Sequence, residues 1–146
     1  NKAICNFSSK LYSKEDFIPI EPCNCEECRN YKEANEGIHI VRPNDVENYL
    51  SVFKPIQLRW DIRNRDVHPG YPVYNFGESK GKTFPRVLIY PTEDMEKWLY
   101  NNATNLAYST KAKFYVAITR AKFSVGIVSN FKDGISIDGV ELYSKM

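Results

Sequence analysis

An arginine stands where a helix-like run gives way to an apolar, strand-like one: Phe114, Tyr115, Val116, Ala117, Ile118, Thr119, Arg120, Ala121 and Lys122 follow one another. A guanidinium stays charged and offers a planar fork of donors, so at such a junction it suits phosphate charge at a domain edge. The plainer reading is a surface arginine that ends a helix. A second stretch, Ser79-Lys80-Gly81-Lys82-Thr83-Phe84, joins a hydroxyl and a cation that could hold a phosphate to a glycine that permits close backbone approach.

A self-sufficient nucleotide site would need a loop of the form G-x-x-x-x-G-K-[ST], whose amides cradle phosphates while the lysine reaches the outer ones. Gly77-Glu78-Ser79-Lys80-Gly81-Lys82-Thr83 is one residue too short between its glycines, and Pro85 with a β-rich run follows it. A phosphate loop would open a helix there. The chain alone is not expected to hydrolyse ATP.

Cys23, Cys25 and Cys28 place three thiols in six residues, and closely spaced thiolates are what zinc selects. A tetrahedral site needs a fourth ligand, for which Cys5 and His39 are the candidates, neither at a diagnostic spacing. The C-x-C-x-x-C pattern is not the paired C-x-x-C of structural zinc sites, so free thiols in a polar loop are expected and no metal is assigned.

The elements that must position these residues alternate. A short helix is expected over Ala3 to Leu11, then a polar loop over 12–36. Ile38 to Val41 follows as a strand and Pro43 to Phe53 as a helix with Val46, Tyr49, Leu50 and Phe53 on one face. Ile56 to Trp60, Tyr71 to Phe76 and Arg86 to Tyr90 read as strands, and Glu93 to Asn101 as a helix. Thr110 is the expected N-cap of a helix over Lys111 to Ala121, with Phe123 to Val128 the next strand. Asp138-Gly139 suggests a hairpin in the tail, 130–146. Such alternation predicts an α/β domain with a mainly parallel sheet flanked by helices.

Composition agrees with one domain over 1–146: 146 residues with 42% apolar and 14% aromatic content can bury one core. A net charge of +2 excludes a polybasic tail as the means of nucleic-acid binding and leaves room for a local patch. No apolar run approaches the roughly 18 residues of a membrane span and no signal peptide opens the chain, so no membrane partner and a cytoplasmic location are expected. Tyr71, Tyr74, Phe76, Tyr90, Trp98, Tyr100 and Tyr108 could include a base-stacking platform, although aromatics at alternating strand positions mostly pack in cores.

Tyr115 to Lys122 resembles the last motif of UvrD-like superfamily 1 DNA helicases. Ser79 to Phe84 with the strand-like run after it resembles that family's preceding motif, and Asn1 to Ser8 looks like the sequence just after its Asn-Tyr-Arg-Ser motif. The three stretches occur in the family's order. The resemblance implies a second, C-terminal RecA-like motor domain, a P-loop NTPase type of fold without its own phosphate loop, as a fragment of a larger chain. Its partners would be single- or double-stranded DNA and an N-terminal RecA-like domain of the same chain. ATP with Mg2+ would be bound mainly by that other domain.

By the same resemblance Arg120 is the catalytic arginine that reaches the terminal phosphate of ATP. Gly81, Thr83 and Thr119 would lie at the nucleotide, and Ser79 and Lys80 at DNA phosphate. The chain departs from the family at Thr83, where relatives carry a glutamate that touches the ribose, and at Gly77, where they commonly carry histidine. About 70 residues separate the first and second motif stretches, which implies that the large extra subdomain of many relatives is absent. Two other classes stay open: a non-catalytic nucleic-acid-binding or interaction module with a helicase-like fold, and a zinc-stapled α/β domain.

Overall fold

The computed structural model describes residues 2–12, 35–131 and 135–144. Six strands form a single sheet in the order β3-β2-β4-β5-β1-β6, and every neighbouring pair is parallel. The strands are β1 (Gly37–Val41), β2 (Ile56–Arg59), β3 (Val73–Asn75), β4 (Phe84–Ile89), β5 (Ala121–Val128) and β6 (Val140–Leu142). Four helices flank them: α1 (Lys2–Ser9), α2 (Val46–Phe53), α3 (Glu93–Tyr100) and α4 (Tyr108–Thr119). The chain is an α/β domain with an all-parallel sheet, as the alternation predicts.

Local chemistry explains the helices. Thr92 caps α3 by accepting from the Met95 amide at 3.3 Å, and Glu93, Asp94 and Glu96 lie in its first turn, where carboxylates oppose the positive end of the helix dipole. Lys54 ends α2 in the left-handed conformation, φ 50°, with its amide on the Leu50 carbonyl. Pro55 follows and cannot continue the helix.

Parallel sheets bury both faces, and this one does so unequally. On one face Phe7 of α1, Trp98 of α3 and Phe114 of α4 meet edge to face, at ring distances of 5.8 and 5.7 Å. They cover Ile40, Leu58, Val87, Ile89, Val125 and Ile127, all fully buried. On the other face α2 lays Tyr49 and Leu50 over Val41, Leu88 and Tyr90. Gly126 makes that seat possible, since a Cβ there would stand 2.9 Å from Leu88 Cδ1 and 3.2 Å from the Tyr49 ring.

Three expectations are corrected. Helix α4 starts at Tyr108, because the Lys111 amide already closes on the Ala107 carbonyl; Thr110 sits inside the first turn and does not cap. Ala121 belongs to β5, paired with Phe84. In the tail, Val140 N–H bonds the Ile137 carbonyl at 3.1 Å and Gly139 takes φ +77°, so the turn forms. Residues 135–137 are not a strand, and β6 instead adds in parallel to the edge of β1. There it pairs with a strand that is buried along its whole length, where unpaired backbone groups are costly.

A buried polar network lies beneath β2 and β4. Tyr90 donates to Gln57 Oε1 at 2.5 Å, and Gln57 Nε2 donates to the His68 carbonyl at 2.8 Å. Burial pushes the Tyr90 phenol up to about 12 from its ordinary 10, because the phenolate loses its water. A raised acid contributes stability below its unfolded value and loses it as pH rises through the folded one. Stability is therefore expected to hold to about pH 10 and fall between 10 and 12. Alkaline titration followed by phenolate absorbance and unfolding checks this: Tyr90→Phe should flatten the fall, and an unchanged profile would refute it.

Candidate phosphate-facing edge

Strands β4 and β5 run parallel and start together, with Phe84 opposite Ala121. The residues just before each start, Thr83 and Arg120, are thereby brought to one edge of the sheet. The joint is a backbone hydrogen bond: the Phe84 amide donates to the Arg120 carbonyl at 2.8 Å. Two stretches 36 residues apart (120 − 84) thus become neighbours through the register of a single strand pair.

Arg120 is the C-cap of α4, in the right-handed helical region, and is half-buried. Its Nε donates to the Val116 carbonyl at 3.2 Å, and Nη2 reaches Thr119 Oγ1 at 3.5 Å. A guanidinium has five N–H donors, so these two bonds leave three for another ligand. Thr119 donates to the Tyr115 and Val116 carbonyls at 2.9 and 3.2 Å. Its hydroxyl proton is spent on its own helix end, so Thr119 braces the arginine. Burial raises the pKa of the Tyr115 phenol, and Tyr115 packs edge to face on Tyr12 at 5.5 Å.

Ser79 to Lys82 form a tight turn. Lys80 takes φ −56°, ψ 129° and Gly81 φ +82°, with Lys82 N–H on the Ser79 carbonyl at 3.0 Å. These are the angles of a type II turn, whose third position needs glycine. The turn is held from behind: Asn75 and Glu78 form a reciprocal capping box on the 3-10 turn Phe76–Ser79, and Arg59 Nε grips Asn75 Oδ1 at 3.1 Å.

Lys80, Gly81, Lys82 and Thr83 are exposed at its tip. Ser79 is fully buried and donates to the Phe76 carbonyl at 2.7 Å. Its hydroxyl is turned onto its own turn and not outward, whereas the Lys80 side chain is exposed.

Charge is segregated along the chain. No Asp or Glu occurs from Ser79 to Thr92 or from Trp98 to Lys132, and those stretches carry Lys80, Lys82, Arg86, Lys111, Lys113, Arg120, Lys122 and Lys132. A chain of net charge +2 can therefore present a cationic face by distribution alone. This signal lies open in the sequence once the two stretches are known to be adjacent.

Of the aromatics considered for stacking, Phe76, Tyr90 and Trp98 are core residues, while Tyr108 is 83% exposed and Tyr74 half-buried. Cys23, Cys25 and Cys28 lie outside the described residues. Cys5 is half-buried and free. His39 is buried on β1, with Nε2 3.0 Å from the Glu36 carbonyl and Nδ1 3.9 Å from Glu141. No helix among the described residues is long and apolar enough to cross a membrane.

No protein-family model matches the chain. No curated protein matches it either. Among solved structures it is similar to the C-terminal domain of a possible DNA helicase from Lactobacillus plantarum WCFS1, over 96% of this chain and 77% of that one, at 13% identity and a TM-score of 0.33. Similarity at that level does not assign a function.

Proposed function

We propose that this chain is the second motor domain of an ATP-dependent DNA helicase of UvrD-like type, which completes an ATP site held mainly by a P-loop domain elsewhere in the same protein. The observation that carries the reading is the Phe84 N–H to Arg120 carbonyl bond. It brings the two stretches that resemble neighbouring helicase motifs to one edge of a parallel sheet.

Arg120 would act as the arginine finger. Its three uncommitted N–H donors suit the oxygens of a terminal phosphate, and its cation would stabilise charge that develops on the transferred phosphoryl group. Thr119 and the Val116 carbonyl hold the guanidinium base, so less side-chain freedom is lost when it engages. Thr83, exposed beside it, has a hydroxyl for the nucleotide sugar, and Gly81 lets a ligand approach the backbone. Lys80 would take a DNA phosphate. Opening and closing of the two domains around ATP would then move the protein along DNA.

The test is DNA-stimulated ATP turnover of the protein that joins this chain to its P-loop domain, wild type beside Arg120→Ala, with DNA affinity measured for both. Normal turnover in the variant would leave a nucleic-acid-binding module on this fold as the better account.

The tight turn gives a second expectation. Ser79→Ala removes a buried hydroxyl and leaves the Phe76 carbonyl without that donor, so unfolding free energy should fall by about 1–2 kcal/mol. Lys80→Ala should leave stability unchanged and lower the salt slope of DNA binding by about 1. Urea unfolding and DNA titrations at several salt concentrations separate the two; a steeper loss of binding than of stability in Ser79→Ala would restore its direct contact.

A further inference from the structure

We propose that Arg59 is a positioning residue for Lys80: acting through the Asn75 side chain, its guanidinium fixes the turn that presents the Lys80 ammonium to a phosphate, a role that rests on the motor-domain reading for the identity of that phosphate as DNA. Arg59 closes β2 and lies opposite Asn75, the last residue of β3. It is half-buried, and its donors go to two separate loops: Nε to Asn75 Oδ1 at 3.1 Å and Nη1 to the Asn64 carbonyl at 3.1 Å. Neither acceptor is charged. A half-buried guanidinium bonded to neutral oxygens gains no ion pair in exchange for lost water, so geometry is the larger part of what it provides.

Asn75 carries that geometry into the turn. Its amide N–H donates to Glu78 Oε1 at 2.9 Å and its side chain accepts from the Glu78 amide, the two halves of the capping box on Phe76–Ser79. A carboxamide has one accepting end and one donating end, and turning it over exchanges them. The groups that meet the Asn75 oxygen, Arg59 Nε–H and the Glu78 N–H, can only donate. Arg59 thus holds the oxygen inward and keeps the cap closed.

From the cap to the lysine the backbone is fixed bond by bond. Ser79 Oγ donates to the Phe76 carbonyl at 2.7 Å, and the Lys82 N–H to the Ser79 carbonyl at 3.0 Å. Gly77 and Gly81 would otherwise leave this segment pliable. A flexible lysine stem on a fixed Cα reaches one phosphate position at a smaller entropic cost than the same stem on a loose turn.

The test uses the two-domain protein with Arg59→Met, Asn75→Ser, Asn75→Ala and Lys80→Ala, singly and combined. A serine at position 75 needs no orienting partner, because a hydroxyl rotates to accept and Ser-x-x-Glu is itself a capping box. Two quantities are read: hydrogen exchange over residues 76–82, and affinity for a single-stranded oligo-dT of about 16 nucleotides at several salt concentrations.

Arg59→Met should speed exchange over 76–82 by roughly 10-fold, weaken oligo-dT binding several-fold and lower its salt slope by about 1. Lys80→Ala should lose the same slope, and adding Arg59→Met to it should cost no further binding. Asn75→Ser in the Arg59→Met background should restore slow exchange and the wild-type slope, which a general loss of stability would not allow. Unchanged exchange in Arg59→Met, additive losses with Lys80→Ala, or binding that Asn75→Ser fails to restore would each overturn the positioning role, the last two in favour of a direct Arg59 contact. Asn75→Ala leaves Arg59 in place and should reproduce the loss; a wild-type slope there would overturn the role even where Arg59→Met does not fold. If the rescue holds while Arg120→Ala hydrolyses ATP normally, the positioning stands on a nucleic-acid-binding module and the motor reading falls. Loss of turnover in Arg120→Ala with no rescue by Asn75→Ser means the reverse.

Discussion

Arg120→Ala is expected to lower DNA-stimulated ATP turnover of the two-domain protein by roughly 1000-fold or more, the range that arginine fingers supply in phosphoryl transfer. The size of the effect follows from where the charge sits. Arg120 is a cation at the end of a helix, and its carbonyl accepts from the Phe84 amide, so its position is set by β4 and β5 as well as by its own helix. Removing the side chain breaks only the Nε bond to Val116 and the long Nη2 contact to Thr119. That should cost about 1 kcal/mol of stability at a half-buried site, too little to unfold the domain.

Arg120→Lys separates charge from geometry. A lysine restores the cation but lacks the planar fork, so partial recovery of turnover is expected. DNA affinity measured without nucleotide should match wild type in both variants. Wild-type turnover in Arg120→Ala would refute the finger assignment, and loss of DNA binding in parallel with turnover would point to a general effect on the cationic edge.

Phe114→Ala is expected to cost about 3–5 kcal/mol of unfolding free energy, the range for emptying a buried aromatic site. Phe114 is fully buried on α4 and meets Trp98 at 5.7 Å. With Ala117 and Ile118 it is what holds α4, and therefore Arg120, against the sheet. A loss of this size is a large share of a small domain's stability, so turnover in the two-domain protein should fall as well, through the population of folded chains. Tyr108→Ala on the same helix should change stability by less than about 0.5 kcal/mol, because Tyr108 is 83% exposed. Urea unfolding of both variants checks the contrast; a cost under about 1 kcal/mol for Phe114→Ala would mean that α4 is anchored by other contacts.

Much of the architecture was legible because the signals were local. The helix ends near Phe53 and Glu93 were within reach of the sequence because what fixes them acts within one or two turns of chain: in the structure Lys54 and Pro55 end α2, and the Thr92 hydroxyl with three carboxylates starts α3. Gly81 was read for close backbone approach, and the type II turn that requires its φ of +82° is seen only in the structure. The misreadings came where local rules met distant partners. Thr110 is a good capping residue by type, yet the amide bond from Lys111 to Ala107 starts α4 earlier. Asp138-Gly139 makes its turn, but the strand after it is claimed by the buried edge of β1. Ser79 was read by its hydroxyl alone, and only packing shows that hydroxyl turned inward onto Phe76.

By itself the sequence determined the alternation of helices and strands, the lack of an independent phosphate loop, and the residue types that suit phosphate at Lys80 and Arg120, because propensity, turn chemistry and charge are properties of short stretches. Tertiary structure decided that those stretches meet. The register that sets Phe84 against Ala121 comes from pairing between strands that are separated in the chain by α3 and α4, and it is selected by burial of both sheet faces together. The same long-range packing chose which aromatics became core, as with Phe76 and Trp98, and which kept a ring near solvent beside a lysine, as with Trp60 and Tyr74. Burial depends on what the rest of the chain brings alongside a residue, and no local pattern carries that information.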